Sequence, residues 1–116
     1  MLEYSNNLES GNRFGDILSG LQKELAGTGL FNINDFKSRA VAHEVYCIGE
    51  DNNGKGFAAC NLSILSGRDD DTKKKISDLT INFLAENINK PEGVNEVNVT
   101  VQISELHKPS YRKVNI

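Results

Sequence analysis

Val97-Asn98-Val99-Thr100-Val101-Gln102-Ile103-Ser104 is the stretch on which the fold turns. Apolar β-branched residues alternate with polar ones, the period of a strand with one core face and one polar face. Just before it, Pro91 and Gly93 lie beyond the end of an earlier element. That element is a helix over about 69–87, with Ile76, Leu79, Phe83 and Leu84 as its apolar stripe. Asp69–Asp71 open it where the helix dipole favours negative charge. Ahead of the helix, about 56–65 reads as a strand, and Gly56, Ala58 and Ala59 make it small enough for close packing.

The same order occupies the front of the chain. Met1–Ser5 reads as a short strand, followed by a helix over about 12–26. Phe14, Ile17, Leu18, Leu21 and Leu25 form its stripe, and Gly27 and Gly29 end it. A second strand is expected over about 36–48. Lys37, Arg39, Val41, His43, Val45 and Cys47 would share one face of it, which sets Lys37 and Arg39 about 7 Å apart. Glu50–Gly54 is a turn. Two βαβ units, about 1–48 and 56–106, are therefore followed by an irregular tail, 107–116. With right-handed crossovers they make an α+β domain, a four-stranded mixed sheet with both helices on one face. The opposite face is polar and small, suited to other subunits or to water. Lys37, Arg39 and Arg68 stand at junctions between loops and elements, as in a fold built to hold a small anion.

The totals narrow the function classes. A chain of 116 residues forms one domain, and 38% apolar content gives a thin core that favours oligomerisation. The net charge of −3 is not a nucleic-acid footprint. No apolar run is long enough to span a bilayer, and no signal peptide is recognisable, so a cytoplasmic setting with reduced Cys47 and Cys60 is expected. Two histidines and two cysteines, scattered along the chain, do not make a metal cluster. His43 and His107 read as structural residues. Gly54-Lys55-Gly56 lacks the spacing of a phosphate loop, and no serine has the histidine and acid of a hydrolase triad.

Several short stretches together resemble the 5-carboxymethyl-2-hydroxymuconate isomerase family of the tautomerase superfamily. They are Leu2-Glu3-Tyr4-Ser5-Asn6-Asn7-Leu8, Gly27-Thr28-Gly29-Leu30-Phe31, Phe36-Lys37-Ser38-Arg39, Ser66-Gly67-Arg68 and Ile103-Ser104-Glu105-Leu106-His107. They occur in order over essentially the whole chain. The resemblance implies a homotrimer with neither metal nor cofactor. It places strand one between strands two and three, which separates Cys47 from Cys60. It also implies proton transfer within an unsaturated 2-oxo dicarboxylate during the breakdown of aromatic compounds. The catalytic base would be the amine of an amino-terminal proline.

The chemistry explains that choice. A base that works beside a carbonyl must be neutral near pH 7, and an α-amine has an ordinary pKa of about 7.7–8.0 that burial and neighbouring cations lower. A dianionic substrate also needs cations. By matched motifs, Arg68 and Arg39 would be the catalytic cations, Arg68 binding a carboxylate or polarising the 2-oxo group, and Lys37 would complete the substrate site with them. Lys37 stands where arginine is expected, and a lysine lacks the planar fork. The proline is absent, because Met1 directly precedes Leu2-Glu3. Three readings follow. The protein begins a few residues upstream with Met-Pro, leaving this shorter form inactive or impaired; or it has lost the base and keeps the trimer as a binding or structural protein; or another amine serves weakly.

Overall fold

The computed structural model describes every residue, Met1–Ile116. Its elements are β1 (Leu2–Ser5), α1 (Phe14–Gly27), β2 (Ala40–His43), β3 (Lys55–Leu65), α2 (Asp70–Asn87) and β4 (Glu96–Leu106). Short 3-10 turns occupy Asn6–Leu8, Ile33–Asp35 and Lys108–Ser110. The sheet order is β2-β1-β3-β4. β1 runs parallel to β2 and antiparallel to β3, while β3 and β4 are parallel along their whole length. This is the expected mixed sheet, with β1 inside it.

Register sorts the side chains. Leu2 and Tyr4 lie opposite Cys60 and Ala58, and Ala58 and Cys60 lie opposite Val99 and Val101. Paired residues share a face, so all of these point to one side of the sheet. Phe14 and Ile17 of α1 and Leu84 of α2 pack there in one cluster. A second cluster joins Leu21 and Leu25 to Ile64 and Ile76. Both helices therefore cover one face, as the alternation in β4 requires. The α2 stripe also includes Thr80, which sequence reasoning passed over: it is fully buried, and its hydroxyl donates to the Ile76 carbonyl at 2.8 Å. Gly20 lets the helices approach, because a Cβ there would meet the Phe83 ring at 2.8 Å.

β2 is much shorter than the expected 36–48. As an edge strand it bonds only to β1, and that ladder runs from Leu2↔Ala40 to Ser5↔His43. Beyond His43 the Asn52 side chain captures the backbone: its carbonyl accepts from Ile48 N and its amide donates to Tyr46 O, both at 2.7 Å. A side chain that satisfies backbone groups competes with a ladder. Cys47 consequently lies in an exposed loop, and Cys60 is buried in β3; both are free. Burial pushes the Cys60 thiol above its ordinary pKa, against a weaker downward pull from the amino terminus.

The small residues of β3 answer to a specific neighbour. A Cβ on Gly56 would lie 2.9 Å from Leu8 Cδ2, 3.1 Å from Ser5 Oγ and 3.2 Å from Asn7 Oδ1. Gly56→Ala is expected to destabilise the fold by about 1–3 kcal/mol through overpacking. Chemical denaturation checks this, and an unchanged midpoint would show that the Asn6–Leu8 turn yields.

Candidate functional site

β1 covers four residues at the centre of the sheet, whereas β3 beside it covers eleven. The last β1–β3 contact beyond the register is at the terminus: Met1 N donates to Asn61 O at 2.7 Å, and Asn61 N donates to Met1 O at 2.8 Å. From there the carboxyl half of β3 bonds only to β4. On the other flank, Leu2 N donates to Arg39 O, and the extended segment from Phe36 approaches β2 without a ladder of its own. Between these two backbones lies a cleft of about 770 Å³. Leu30, Phe31, Phe36, Leu62 and Ile64 supply apolar wall, and Met1 stands among the lining residues.

All three cations singled out from sequence line this one cleft. Arg68 is half-buried and held at two points. Its Nη2 donates to Leu30 O at 2.7 Å, and its guanidinium carbon lies 4.6 Å from the centre of the Phe31 ring. A carbonyl and an aromatic face both favour a cation, so they orient the fork without neutralising it. Gly67, at φ +116, makes the turn that carries the chain from β3 to Arg68. Arg68 makes no ion pair with Asp69–Asp71. Asp69 instead caps α2 through Thr72 N at 2.8 Å, and Lys73 takes Asp70 and Glu105. Lys37 and Arg39 are exposed and likewise form no ion pair. They lie in the lead-in to β2, ahead of its ladder.

The cleft also includes residues that sequence reasoning missed. Lys113 returns from the tail to pair with Asp35 at 2.6 Å, and Tyr111 lines the same wall. The Lys113 hydrogen bond and charge hold the Asp35 carboxyl below its ordinary pKa, with a smaller contribution from Lys37. The same contact raises the Lys113 ammonium. No local pattern announces this pair, since its members are far apart in the chain. Glu3 of β1 is among the lining residues, and its carboxylate meets His43 Nε2 at 3.0 Å. His107 stays local: its Nδ1 lies 2.8 Å from Ser110 Oγ. Asn61 Oδ1, a buried acceptor, has no hydrogen-bond partner. No three His, Cys, Asp or Glu side chains gather where they could hold a metal ion.

The lining thus carries four cationic side chains against two carboxylates, in a chain whose net charge is −3. Local charge opposite to the global charge marks a place suited to an anion. The apolar wall suits a carbon skeleton between charged ends.

Comparison with known proteins identifies the family and the fold. The family profile described as 5-carboxymethyl-2-hydroxymuconate isomerase matches residues 1–116. A search among curated proteins finds no match. Among solved structures, a 5-carboxymethyl-2-hydroxymuconate isomerase from Deinococcus radiodurans R1 superposes with a TM-score of 0.85 at 23% identity, covering 99% of this chain and 87% of that one. A 5-carboxymethyl-2-hydroxymuconate delta-isomerase gives 0.80 at 17% identity, with 98% and 85% covered. A fused 4-OT symmetric trimer gives 0.63 at 12% identity, with 98% and 91% covered. These likenesses show the shared fold.

Proposed function

The chain belongs to the 5-carboxymethyl-2-hydroxymuconate isomerase family, and from that premise we propose that it serves as a tautomerase for unsaturated 2-oxo dicarboxylates of aromatic breakdown. The observation that carries the reading is the convergence of Lys37, Arg39 and Arg68 on one cleft at the start of β1. Arg68, held by Leu30 O and Phe31, binds one carboxylate and the adjacent 2-oxygen. Lys37 and Arg39 receive the remote carboxylate. An amine base heading β1 takes the proton from the 2-hydroxyl of the dienol, and the ammonium so formed delivers it to a carbon of the diene to give the 2-oxo isomer. Nothing is added to or lost from the substrate. Negative charge that gathers on the 2-oxygen in the transition state is met by the preorganised guanidinium. In this reading the base is a proline reached by continuing β1 upstream into the slot between Phe36–Arg39 and Asn61–Leu65, where each further residue advances the strand about 3.3 Å.

We further propose that the chain forms a homotrimer. Only 17 of 116 residues are buried, and the radius of gyration of 15.4 Å exceeds the roughly 13 Å of a compact chain this long. The sheet face away from the helices carries half-exposed Val41 and Phe57 beside polar Glu3 and Thr100. Sedimentation at three times the 12.8 kDa chain mass is expected; a monomer overturns this part. The exposed thiol of Cys47 suits a reducing cytoplasm.

Ultraviolet absorbance tests the activity by following ketonisation of 2-hydroxymuconate. The chain is run beside a version extended upstream so that proline is residue one. Turnover confined to the extended form supports proline as the base. Inactivity of both, as intact trimers, points instead to a fold retained for binding or structure.

A further inference from the structure

The tail after β4 doubles back over the cleft instead of leaving it. Lys108 N donates to Ser66 Oγ at 3.1 Å, two residues before Arg68. His107 O then accepts from both Ser110 N and Tyr111 N at 3.1 Å. Arg112 Nη1 donates to Pro109 O and Tyr111 O, both at 2.9 Å, which stiffens the next step. Lys113 reaches Asp35, two residues before Lys37. The segment is therefore anchored on the Arg68 side and arrives on the Lys37 side, with Tyr111 and Lys113 contributing to the wall between.

The Lys113–Asp35 pair is wet. Its side chains are 41% and 58% exposed. An ion pair in water contributes little net stability, so one carboxylate partner can be exchanged for another at small cost. Lysine's flexible stem lets its ammonium follow the new partner. From these observations, and resting on the dicarboxylate reading above, we infer that Lys113 is a substrate-binding residue that exchanges Asp35 for the remote carboxylate of the substrate and so selects dicarboxylates over monocarboxylates. Asp35 is its competitor: it keeps the ammonium in position while the cleft is empty and repels the incoming anion. Lys37 and Arg39, on the neighbouring lead-in to β2, complete the remote end.

Titration calorimetry at low salt tests the inference, with muconate as the dicarboxylate probe and sorbate as its monocarboxylate counterpart. Lys113→Ala is expected to weaken muconate about tenfold, the scale of a lost charge-assisted contact, and to leave sorbate within about twofold. Lys113→Arg restores most of the muconate affinity. Asp35→Asn breaks the same ion pair, yet is expected to tighten muconate about threefold, because it removes the competing charge. If the pair only ties down the tail, Lys113→Ala and Asp35→Asn weaken muconate alike, and the inference is overturned. Unchanged muconate affinity in Lys113→Ala overturns it too. Failure of the broader reading looks different: the unsubstituted chain then binds no muconate, or binds it equally well after Arg68→Ala.

Discussion

Replacing Arg68 by alanine is expected to lower kcat/KM for a 2-hydroxymuconate-type substrate by about 10²–10³, the scale set by loss of one preorganised donor to a developing oxyanion. In the reading proposed above the base is an amino-terminal proline, so the proline-headed form is the one to assay. Arg68 spends one donor on Leu30 O at 2.7 Å and stacks its cation over Phe31, which leaves other donors of the fork for a carboxylate and the adjacent oxygen. Muconate affinity should fall with the same substitution. Arg68→Lys keeps the charge and loses the fork, so it should lie between wild type and alanine. Because alanine also removes the tie to the loop at Leu30, the melting temperature of each variant must accompany the rates. Wild-type kcat/KM in a folded Arg68→Ala protein would remove Arg68 from the site.

Leu84→Ala should give the largest stability effect, a loss of about 2–5 kcal/mol. Leu84 is fully buried on α2 and belongs to the cluster that joins β1, α1 and β3. Truncation there leaves a cavity where helix meets sheet, and a thin core has few other contacts to absorb it. At about 3–5 °C per kcal/mol for a chain of this length, the melting temperature should fall by roughly 6–25 °C. Protein concentration must be held constant, since assembly shifts apparent stability. Exposed Asn82 on the same helix supplies the control, and Asn82→Ala should stay within about 0.5 kcal/mol. A shift below about 1 kcal/mol for Leu84→Ala would mean that α2 does not rest on the sheet as described.

The parts of the site differ in how far sequence reveals them. Arg68 was legible because Ser66-Gly67-Arg68 sits at a strand–helix junction, where a local turn decides where the side chain goes. Lys37 and Arg39 were legible as neighbours on an extended segment, although the strand expected to carry them forms only from Ala40. That error has a physical cause. An edge strand lasts as long as its partner, and β1 offers four residues. Asp35 and Lys113 were not legible at all: an ion pair across 78 positions leaves no periodic trace in the chain.

What the amino-acid sequence by itself determined is the succession of elements and their buried faces. The alternation of Val97–Ile103 and the stripe from Phe14 to Leu25 are local consequences of backbone geometry and of the drive to bury apolar surface. They required two βαβ units with both helices on one face of a sheet. Tertiary structure alone decided where β2 stops, that Arg68 faces Leu30 and Phe31 rather than the aspartates beside it, and that the tail returns to the cleft. Those outcomes depend on hydrogen-bond partners and charges that meet only after distant segments pack, and competition among such partners is settled in space.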